Sequence, residues 1–231
     1  MKKVESWIDY FNERAKEFEN PSEIGNHYIG DDVVDTGFAE SEKERLISYL
    51  QPDQNEKIYD LGCGAGFSTH LIGSYFKEAI GIDMGEELLN KGTKHYPQYT
   101  FVNDNIVTLS NFEDNSMQYI LMYGVLHQMG TETDIAECLN NIARVSKVGA
   151  RVVLYKIPDK KFYDQYQEYR KQMNAQKGNR NTTVDELKWV WIDEVFIQKH
   201  AGSNFEVIIN RPCWGSILPF SAWFDCVLIK K

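Results

Sequence analysis

Apolar residues in this chain fall into short runs that alternate with stripes at helical spacing. The runs predict strands near residues 58–61, 79–83, 99–103, 117–123, 151–155, 205–210 and 224–229. The stripes predict helices at 67–76, 86–94 and 134–145, each between two of those strands. Because strands that alternate with helices form a parallel sheet covered on both faces, the pattern predicts an α/β fold.

An amphipathic helix is predicted before this core. Its apolar stripe consists of Trp7, Ile8, Phe11, Ala15 and Phe18. Ser6 is placed to cap its first turn, and Asn20-Pro21 is expected to end it. The polar face mixes acids with bases, which favours packing on the domain over binding to a membrane surface.

Residues 22–40 contain glycines and polar side chains that predict a loop or a short lid. Tyr28 in this segment is a candidate catalytic or substrate-contacting residue; the alternative is an ordinary connector in which Tyr28 packs. A helix is then expected over residues 41–50, with Ser41 as its cap and Glu44 completing a capping box.

Residues 158–203 are too long for a simple crossover between strands. They predict three helical stretches: a stripe of Phe162, Tyr166, Tyr169 and Met173, a stretch that starts at a capping box over 183–186, and a helix from Ile192 to Ala201. The tyrosines are typical of a packed core, and the other interpretation is a roof over a substrate pocket. We therefore divide the chain into an N-terminal helix and lid (1–40), a core (41–157 and 204–231) and a helical insertion (158–203).

The motif that indicates chemistry follows the first predicted strand and reads Asp60-Leu61-Gly62-Cys63-Gly64-Ala65-Gly66. A strand, a glycine turn and a helix in this order let a ligand approach bare backbone closely. A dinucleotide fingerprint would place a glycine three residues after Gly64, where Phe67 stands, and the phosphate-loop ending Gly-Lys-Ser/Thr is absent. The second strand ends in Asp83, at a place where a carboxylate can accept both hydroxyls of a ribose.

This motif resembles the first motif of class I S-adenosylmethionine-dependent methyltransferases, and the resemblance covers about residues 40–155. It implies S-adenosylmethionine as cofactor and S-adenosylhomocysteine as product. It also implies a Rossmann-like, seven-stranded, mostly parallel sheet with helices on both faces. In that fold the last strand is antiparallel and lies between the fifth and the sixth.

The resemblance also implies a set of cofactor contacts. Asp60 lies near the amino acid end of the cofactor, and the turn makes room for it. Asp83 accepts from the ribose, and the loop after the third strand meets the adenine. The full set of predicted cofactor-binding residues is Asp60, Gly62, Cys63, Gly64, Asp83, Met84, Asp104, Asn105, Ile106 and Tyr123.

His127, just after the fourth strand, stands where small-molecule methyltransferases often carry one or two histidines. Its near-neutral reference pKa suits deprotonation of a hydroxyl, so we predict that it is catalytic. The alternative is a structural hydrogen-bonding residue at the pocket edge. The second histidine position holds Gln128, which argues against a pair of histidines.

The composition, the net charge and the cysteine spacing argue against several classes of function. The 231 residues are 42% hydrophobic and 26% charged, which is ordinary for a globular protein. A net charge of −9 argues against a nucleic-acid binder, including an RNA methyltransferase, because such proteins need a basic face. The four cysteines lack paired metal-ligand spacing and are interpreted as reduced. We expect no metal, no signal peptide and no membrane span, and hence a cytoplasmic protein.

Together these features predict a methyltransferase that acts on an oxygen or a nitrogen of a small-molecule metabolite. We expect a monomer or homodimer without a nucleic-acid or membrane partner. The alternative is a non-catalytic protein of the same fold that binds S-adenosylmethionine or S-adenosylhomocysteine and acts through a partner.

Overall fold

The computed structural model describes residues 6–25, 28–29, 32–33, 36–176, 187–212 and 222–231. Within these ranges, the structure describes only the backbone of residues 28–29, 32–33, 36–38 and 173–176. No described helix is long and apolar enough to cross a membrane.

Helices and strands alternate as the apolar pattern predicts. The helices are α1 (Trp7–Glu17), α2 (Pro21–Ile24), α3 (Thr36–Leu50), α4 (Phe67–Gly73), α5 (Glu86–His95), α6 (Glu132–Val145), α7 (Tyr163–Gln176) and α8 (Glu194–Ala201). The strands are β1 (Tyr28–Ile29), β2 (Asp32–Val33), β3 (Lys57–Leu61), β4 (Glu78–Asp83), β5 (Thr100–Asn103), β6 (Met117–Tyr123), β7 (Ser146–Pro158), β8 (Phe205–Asn210) and β9 (Trp223–Lys230). Short 3₁₀ helices cover Leu126–Gln128 and Lys160–Phe162.

Seven strands form one mixed sheet in the order β5-β4-β3-β6-β7-β9-β8. The pairs from β5 to β7 are all parallel, whereas β9 is antiparallel to both β7 and β8. The last strand therefore lies between the fifth and sixth strands of this sheet, and the predicted Rossmann-like fold is confirmed. The remaining two strands, β1 and β2, form a separate small hairpin.

Side chains of alternate residues on β6 enter two different cores. Ile120 and Met122 pack in a cluster with α6 and α8, while Tyr119, Leu121 and Tyr123 pack in a cluster with α3 and α4. This alternation is what a strand buried on both faces requires. The carboxyl ends of β3, β4, β5 and β6 consequently meet at one edge of the sheet, where ligands of such folds bind.

Of the predicted starts of the N-terminal helices, that of α1 is confirmed and that of α3 is wrong. Ser6 caps α1 as predicted, because its hydroxyl accepts from the Asp9 amide at 3.2 Å. Helix α1 already ends at Glu17, ahead of Asn20-Pro21. The Asn20 side chain instead caps α2, in which Pro21 takes the first position, which suits proline. The predicted cap at Ser41 is wrong, since α3 already begins at Thr36 and Ser41 lies inside it. Gly37, the nearest weak helix former, costs too little to stop a helix that continues through Ala39.

Two further boundaries differ in the second half of the chain. The predicted turn at Val148-Gly149 lies within β7, where Gly149 has φ +77° and the register to β6 shifts. A bulge of this kind takes up an extra residue without ending a strand. Residues 183–186 lie outside the described part, but residues 187–193 form no helix. Helix α8 begins after Asp193, whose side chain accepts from the Phe196 amide at 2.8 Å.

Candidate active site

The turn between β3 and α4 leaves space above its middle glycine. Gly64 has φ +54°, and a Cβ built on it meets no atom within 4 Å. Gly66 has φ +85°, and a Cβ built there lies 2.7 Å from the Phe101 ring. Gly64 therefore permits close approach of a ligand, while Gly66 is required by packing.

The other two predicted residues of this turn hold it against β4. The amides of Gly62 and Cys63 both donate to the Ile82 carbonyl, at 2.7 and 3.2 Å. The Cys63 thiol is buried, and burial raises its pKa well above its usual range. Both residues thus shape the turn through their backbone, and the thiol is held in its neutral form.

Asp60 is a fully buried carboxylate with one satisfied oxygen and one unsatisfied oxygen. Its Oδ2 accepts from the hydroxyls of Ser68 and Thr69, at 2.7 and 2.6 Å. Its Oδ1 is buried and has no hydrogen-bond partner in the described part of the chain. Burial raises the pKa of Asp60 to about 6, although the two hydroxyls oppose the shift. A buried carboxylate oxygen without a donor is rare in folded proteins, so this atom indicates a place for a positively charged or N–H-bearing ligand group.

Asp83 ends β4 and is tied to the glycine turn. Its Oδ2 accepts from the Gly64 amide at 2.9 Å, and its Oδ1 accepts from the Gly85 amide at 2.8 Å. The side chain is half-buried, and burial raises its pKa. Each oxygen retains a further lone pair, so the carboxylate can still accept from two hydroxyls. Met84 follows with its side chain 50% exposed, as an apolar surface beside this carboxylate.

Asp104, the first residue after β5, accepts hydrogen bonds from within the loop that it begins. Its carboxylate accepts from the Asn105 amide at 2.8 Å, from Ser110 at 3.4 Å and from the Asn111 amide at 3.2 Å. The Ile106 carbonyl in turn accepts from the Cys138 thiol at 3.3 Å. These contacts give Asp104 and Asn105 a role in loop folding; their contact with adenine stays a prediction.

A buried ion pair beside Tyr123 was not predicted. Glu42 on α3 pairs with the Lys156 ammonium at 2.6 Å and accepts from the hydroxyls of Tyr123 and Tyr155. Lys156, which has φ +58°, also donates to the Tyr123 hydroxyl at 3.0 Å. Burial lowers the pKa of Lys156, against the opposing effect of Glu42. The network joins three distant segments of the chain, so no local spacing in the sequence reveals it.

His127 lies in the 3₁₀ turn after β6 and is only 4% exposed. Its ring lies 4.6 Å from the Trp189 ring and 5.6 Å from the Trp223 ring, measured between centroids. Its Nδ1 is buried and finds no hydrogen-bond partner among the described residues. Burial, and secondarily the charge of Lys156, lowers its pKa to about 3. The near-neutral pKa expected from the sequence is therefore wrong, and the imidazole is neutral at neutral pH.

The segment 187–193 covers His127. The Val190 amide donates to the His127 carbonyl at 2.9 Å, and the Trp189 ring stacks on Tyr166 of α7 at 5.3 Å. Trp7 of α1 reaches the same segment, because its indole N–H donates to the Lys188 carbonyl at 3.3 Å. The N-terminal helix and the insertion thus meet here, and it stays a prediction that they roof an acceptor pocket. Tryptophan in this segment was the sequence signal that could have drawn attention to it.

Tyr28 lies in the hairpin strand β1, and its side chain is outside the described residues, so its predicted role stays a prediction. Among the described residues, no three His, Cys, Asp or Glu side chains are grouped so that they could hold a metal ion.

Comparison with known proteins agrees with this geometry. Residues 59–154 match the family model described as a methyltransferase domain. A comparison with curated proteins finds no match. Residues 59–154 therefore match a methyltransferase domain, and the resemblance to methyltransferases that rests on Asp60 to Gly66 is confirmed. The cofactor of this class is S-adenosylmethionine, and the unsatisfied Asp60 oxygen and the space above Gly64 fit such a ligand.

Solved structures of methyltransferases share the fold. One is an S-adenosylmethionine-dependent methyltransferase from Methanosarcina mazei (TM-score 0.61, 18% identity, 81% of this chain and 96% of that chain). Another is magnesium protoporphyrin IX methyltransferase from Synechocystis with bound S-adenosylhomocysteine (TM-score 0.63, 14% identity, 97% and 98%). A third belongs to the complex between the Haloferax volcanii Trm112 methyltransferase activator and its candidate methyltransferase (TM-score 0.67, 12% identity, 97% and 97%). At these identities the likeness shows the fold alone.

Proposed function

We propose that this protein is an active methyltransferase that uses S-adenosylmethionine to methylate an oxygen or a nitrogen of a small-molecule metabolite. The observation that carries the proposal is the unsatisfied Nδ1 of buried His127, at the same sheet edge as the cofactor residues. A buried polar atom without a partner costs about 1–3 kcal/mol, so its retention favours a ligand that completes it.

The cofactor supplies a methyl group activated by its sulfonium, and the protein supplies binding and alignment. In the proposal, Asp60 Oδ1 accepts from the cofactor's ammonium and Asp83 accepts from the ribose hydroxyls. The loop Asp104-Asn105-Ile106 meets the adenine, and Tyr123 contributes a wall beside the turn. Alignment of the two reacting groups and exclusion of water can lower such a barrier by about 7–11 kcal/mol.

His127 acts in this proposal as a neutral hydrogen-bond acceptor rather than as a strong base. With a pKa of about 3 it does not remove a proton from a resting hydroxyl. As the acceptor atom forms its new bond to carbon, however, its own proton becomes far more acidic. His127 is placed to hold that proton first and to take it late in the transfer.

This role predicts an unusual pH profile. Because the imidazole stays neutral, lowering the pH from 8 to 6 leaves its contribution to kcat unchanged. A histidine base of ordinary pKa, about 6.5, would instead lose activity below that value. A log kcat profile that falls with unit slope below pH 6.5, and loses that fall in His127→Ala, would refute the neutral role.

Cofactor binding is tested by calorimetric titration of S-adenosylmethionine and S-adenosylhomocysteine. We expect Asp83→Ala to weaken both at least about tenfold, because charged hydrogen bonds to two hydroxyls are lost. Glu87→Ala removes an exposed acid on α5 and serves as the charge control. Undiminished affinity in Asp83→Ala would remove the ribose assignment.

Methyl uptake by small-molecule acceptors tests catalysis. We expect His127→Ala to lose at least about tenfold in kcat with unchanged cofactor affinity. His200→Ala changes a histidine on α8 whose ring packs against Phe196, and it serves as the control. If both ligands bind but no acceptor is ever methylated, the non-catalytic binding protein becomes the better account.

A further inference from the structure

A second buried nitrogen without a partner among the described residues belongs to a ring that lies beside His127. Trp223, the first residue of β9, has its indole Nε1 buried with no hydrogen-bond partner in the part of the chain that the structure describes. Trp223 pairs with Pro158 at the carboxyl end of β7, so it lies at the same sheet edge as His127. The two rings are 5.6 Å apart between centroids, tilted by 59°.

The separation of the two rings is compatible with one ligand atom that contacts both nitrogens. Two hydrogen bonds of about 2.9 Å to one atom join nitrogens up to about 5.8 Å apart, and the ring centroids are 5.6 Å apart. The Trp189 ring lies beside both rings, at 4.6 Å from His127 and 5.8 Å from Trp223 between centroids. Two unsatisfied polar atoms on neighbouring rings therefore form one candidate binding site.

The hydrogen-bonding capacity of the two nitrogens selects the ligand. An indole N–H only donates, so the ligand atom must offer it a lone pair. Neutral His127 accepts a hydrogen bond at Nδ1, so the same ligand atom must also donate one. A hydroxyl oxygen has one proton and two lone pairs, so it can donate to His127, accept from Trp223 and keep one lone pair to attack the methyl group. An amine nitrogen has a single lone pair, which attack consumes.

We propose that the acceptor atom is a hydroxyl oxygen, held between Trp223 Nε1 and His127 Nδ1, and that the enzyme is an O-methyltransferase. The proposal rests on the methyltransferase function proposed above. In the transfer, an oxygen lone pair forms the new C–O bond while the C–S bond breaks and its electron pair stays on sulfur. The hydroxyl proton passes to His127, and the products are a methyl ether and the neutral thioether.

The test uses indole N–H resonances of ¹⁵N-labelled protein saturated with S-adenosylhomocysteine. The chain has five tryptophans, and the Trp223 signal is assigned by its loss in Trp223→Phe. The probes are propan-2-ol and the isosteric pair phenol and aniline. We expect the two hydroxyl compounds to shift the Trp223 signal downfield in a saturable manner and aniline to leave it in place. A shift by aniline as large as that by phenol, or no shift by either hydroxyl compound, would overturn the proposal.

Turnover gives an independent readout. With S-adenosylmethionine labelled by ¹³C at the methyl group and a small-molecule extract of the source organism, we expect a new O–CH₃ carbon signal. Trp223→Phe should reduce its rate about tenfold or more with unchanged cofactor affinity, as expected for one lost hydrogen bond. Trp191→Phe, in the same aromatic cluster but without a buried unsatisfied nitrogen, is the matched control. A new N–CH₃ signal instead would refute the oxygen assignment.

The outcomes separate the two proposals. Failure of S-adenosylhomocysteine to bind, or binding without any methylation, counts against the enzyme function. Whenever S-adenosylhomocysteine binds, with or without methylation, the response of the Trp223 signal to phenol and aniline decides whether the site accepts a hydroxyl oxygen.

Discussion

Replacing Asp60 by Asn is expected to stabilise the cofactor-free protein while it weakens cofactor binding. The carboxyl of Asp60 is fully buried, and its pKa is raised from 3.8 to about 6. A raised pKa of an acid means that the folded state holds the proton more tightly than the unfolded state. The protonated Asp60 carboxyl therefore contributes to the stability of the folded state at low pH, and its contribution is lost as the pH rises through about 6.

The magnitude follows from the size of the shift. About two pKa units correspond to about 3 kcal/mol of unfolding free energy lost between low pH and pH 8. Roughly half of this loss, about 1.4 kcal/mol, falls between pH 5 and pH 8, because at pH 5 the unfolded acid is already ionised. Asparagine cannot ionise, and its amide can still meet the hydroxyls of Ser68 and Thr69.

The assay is urea unfolding of the wild type and Asp60→Asn at pH 5 and pH 8, without cofactor. The unfolding free energy of Asp60→Asn minus that of the wild type should increase by about 1.4 kcal/mol between pH 5 and pH 8. Groups whose pKa is shifted without an interaction with Asp60, such as Asp225, titrate in both proteins and cancel. A difference that is the same at both pH values would refute the reasoning, since any packing change would then explain it.

Two other replacements, Gly66→Ala and Glu42→Gln, test the packing of the site, and Gly149→Ala is the control for the first. Gly66→Ala should cost about 2–4 kcal/mol, because its φ of +85° strains the backbone and its Cβ would lie 2.7 Å from the Phe101 ring. Gly149 has φ +77°, and a Cβ built on it meets no atom within 4 Å. In urea unfolding, Gly149→Ala should therefore show only the backbone cost of about 1–2 kcal/mol. Equal losses in Gly66→Ala and Gly149→Ala would contradict the steric argument. Glu42→Gln removes the carboxylate that pairs with Lys156 and should cost about 3–5 kcal/mol in the same measurement. A loss below about 1 kcal/mol would mean that the pair resembles an exposed salt bridge.

Local patterns predicted the sheet, because its strands are short apolar runs and the central strands β4, β6 and β9 are mostly buried. The run from Met117 to Tyr123 coincides with β6, and that from Phe205 to Asn210 coincides with β8. The positions of Asp60 and Asp83 near the ends of β3 and β4 were likewise predicted from the sequence, since a strand followed by a glycine turn is a local arrangement. The position of β9 between β7 and β8 came from the resemblance, because periodicity says nothing of strand order.

Properties that depend on distant contacts could not be read from the sequence. The pKa of His127 is set by burial under residues 187–193 and by Lys156, neither of which is its neighbour in sequence. The two tryptophans beside His127, Trp189 and Trp223, come from segments separated by more than thirty positions. Ser41 failed as a cap because capping signals compete with a helix that continues through them.

The cofactor end and the acceptor end of the proposed site differ in the charge of the ligand group that each binds. Asp60 is an anion whose ionised form is disfavoured by burial until a positively charged group arrives, so cofactor binding should strengthen as the pH rises from 5 to 8. His127 and Trp223 are neutral in the same range, so binding of a hydroxyl acceptor should not depend on pH. A calorimetric titration of S-adenosylhomocysteine over this range, followed by the phenol titration of the Trp223 signal, separates the two behaviours. If both bindings depended on pH alike, one shared ionisation would govern the site, and the division between a charged cofactor end and a neutral acceptor end would be wrong.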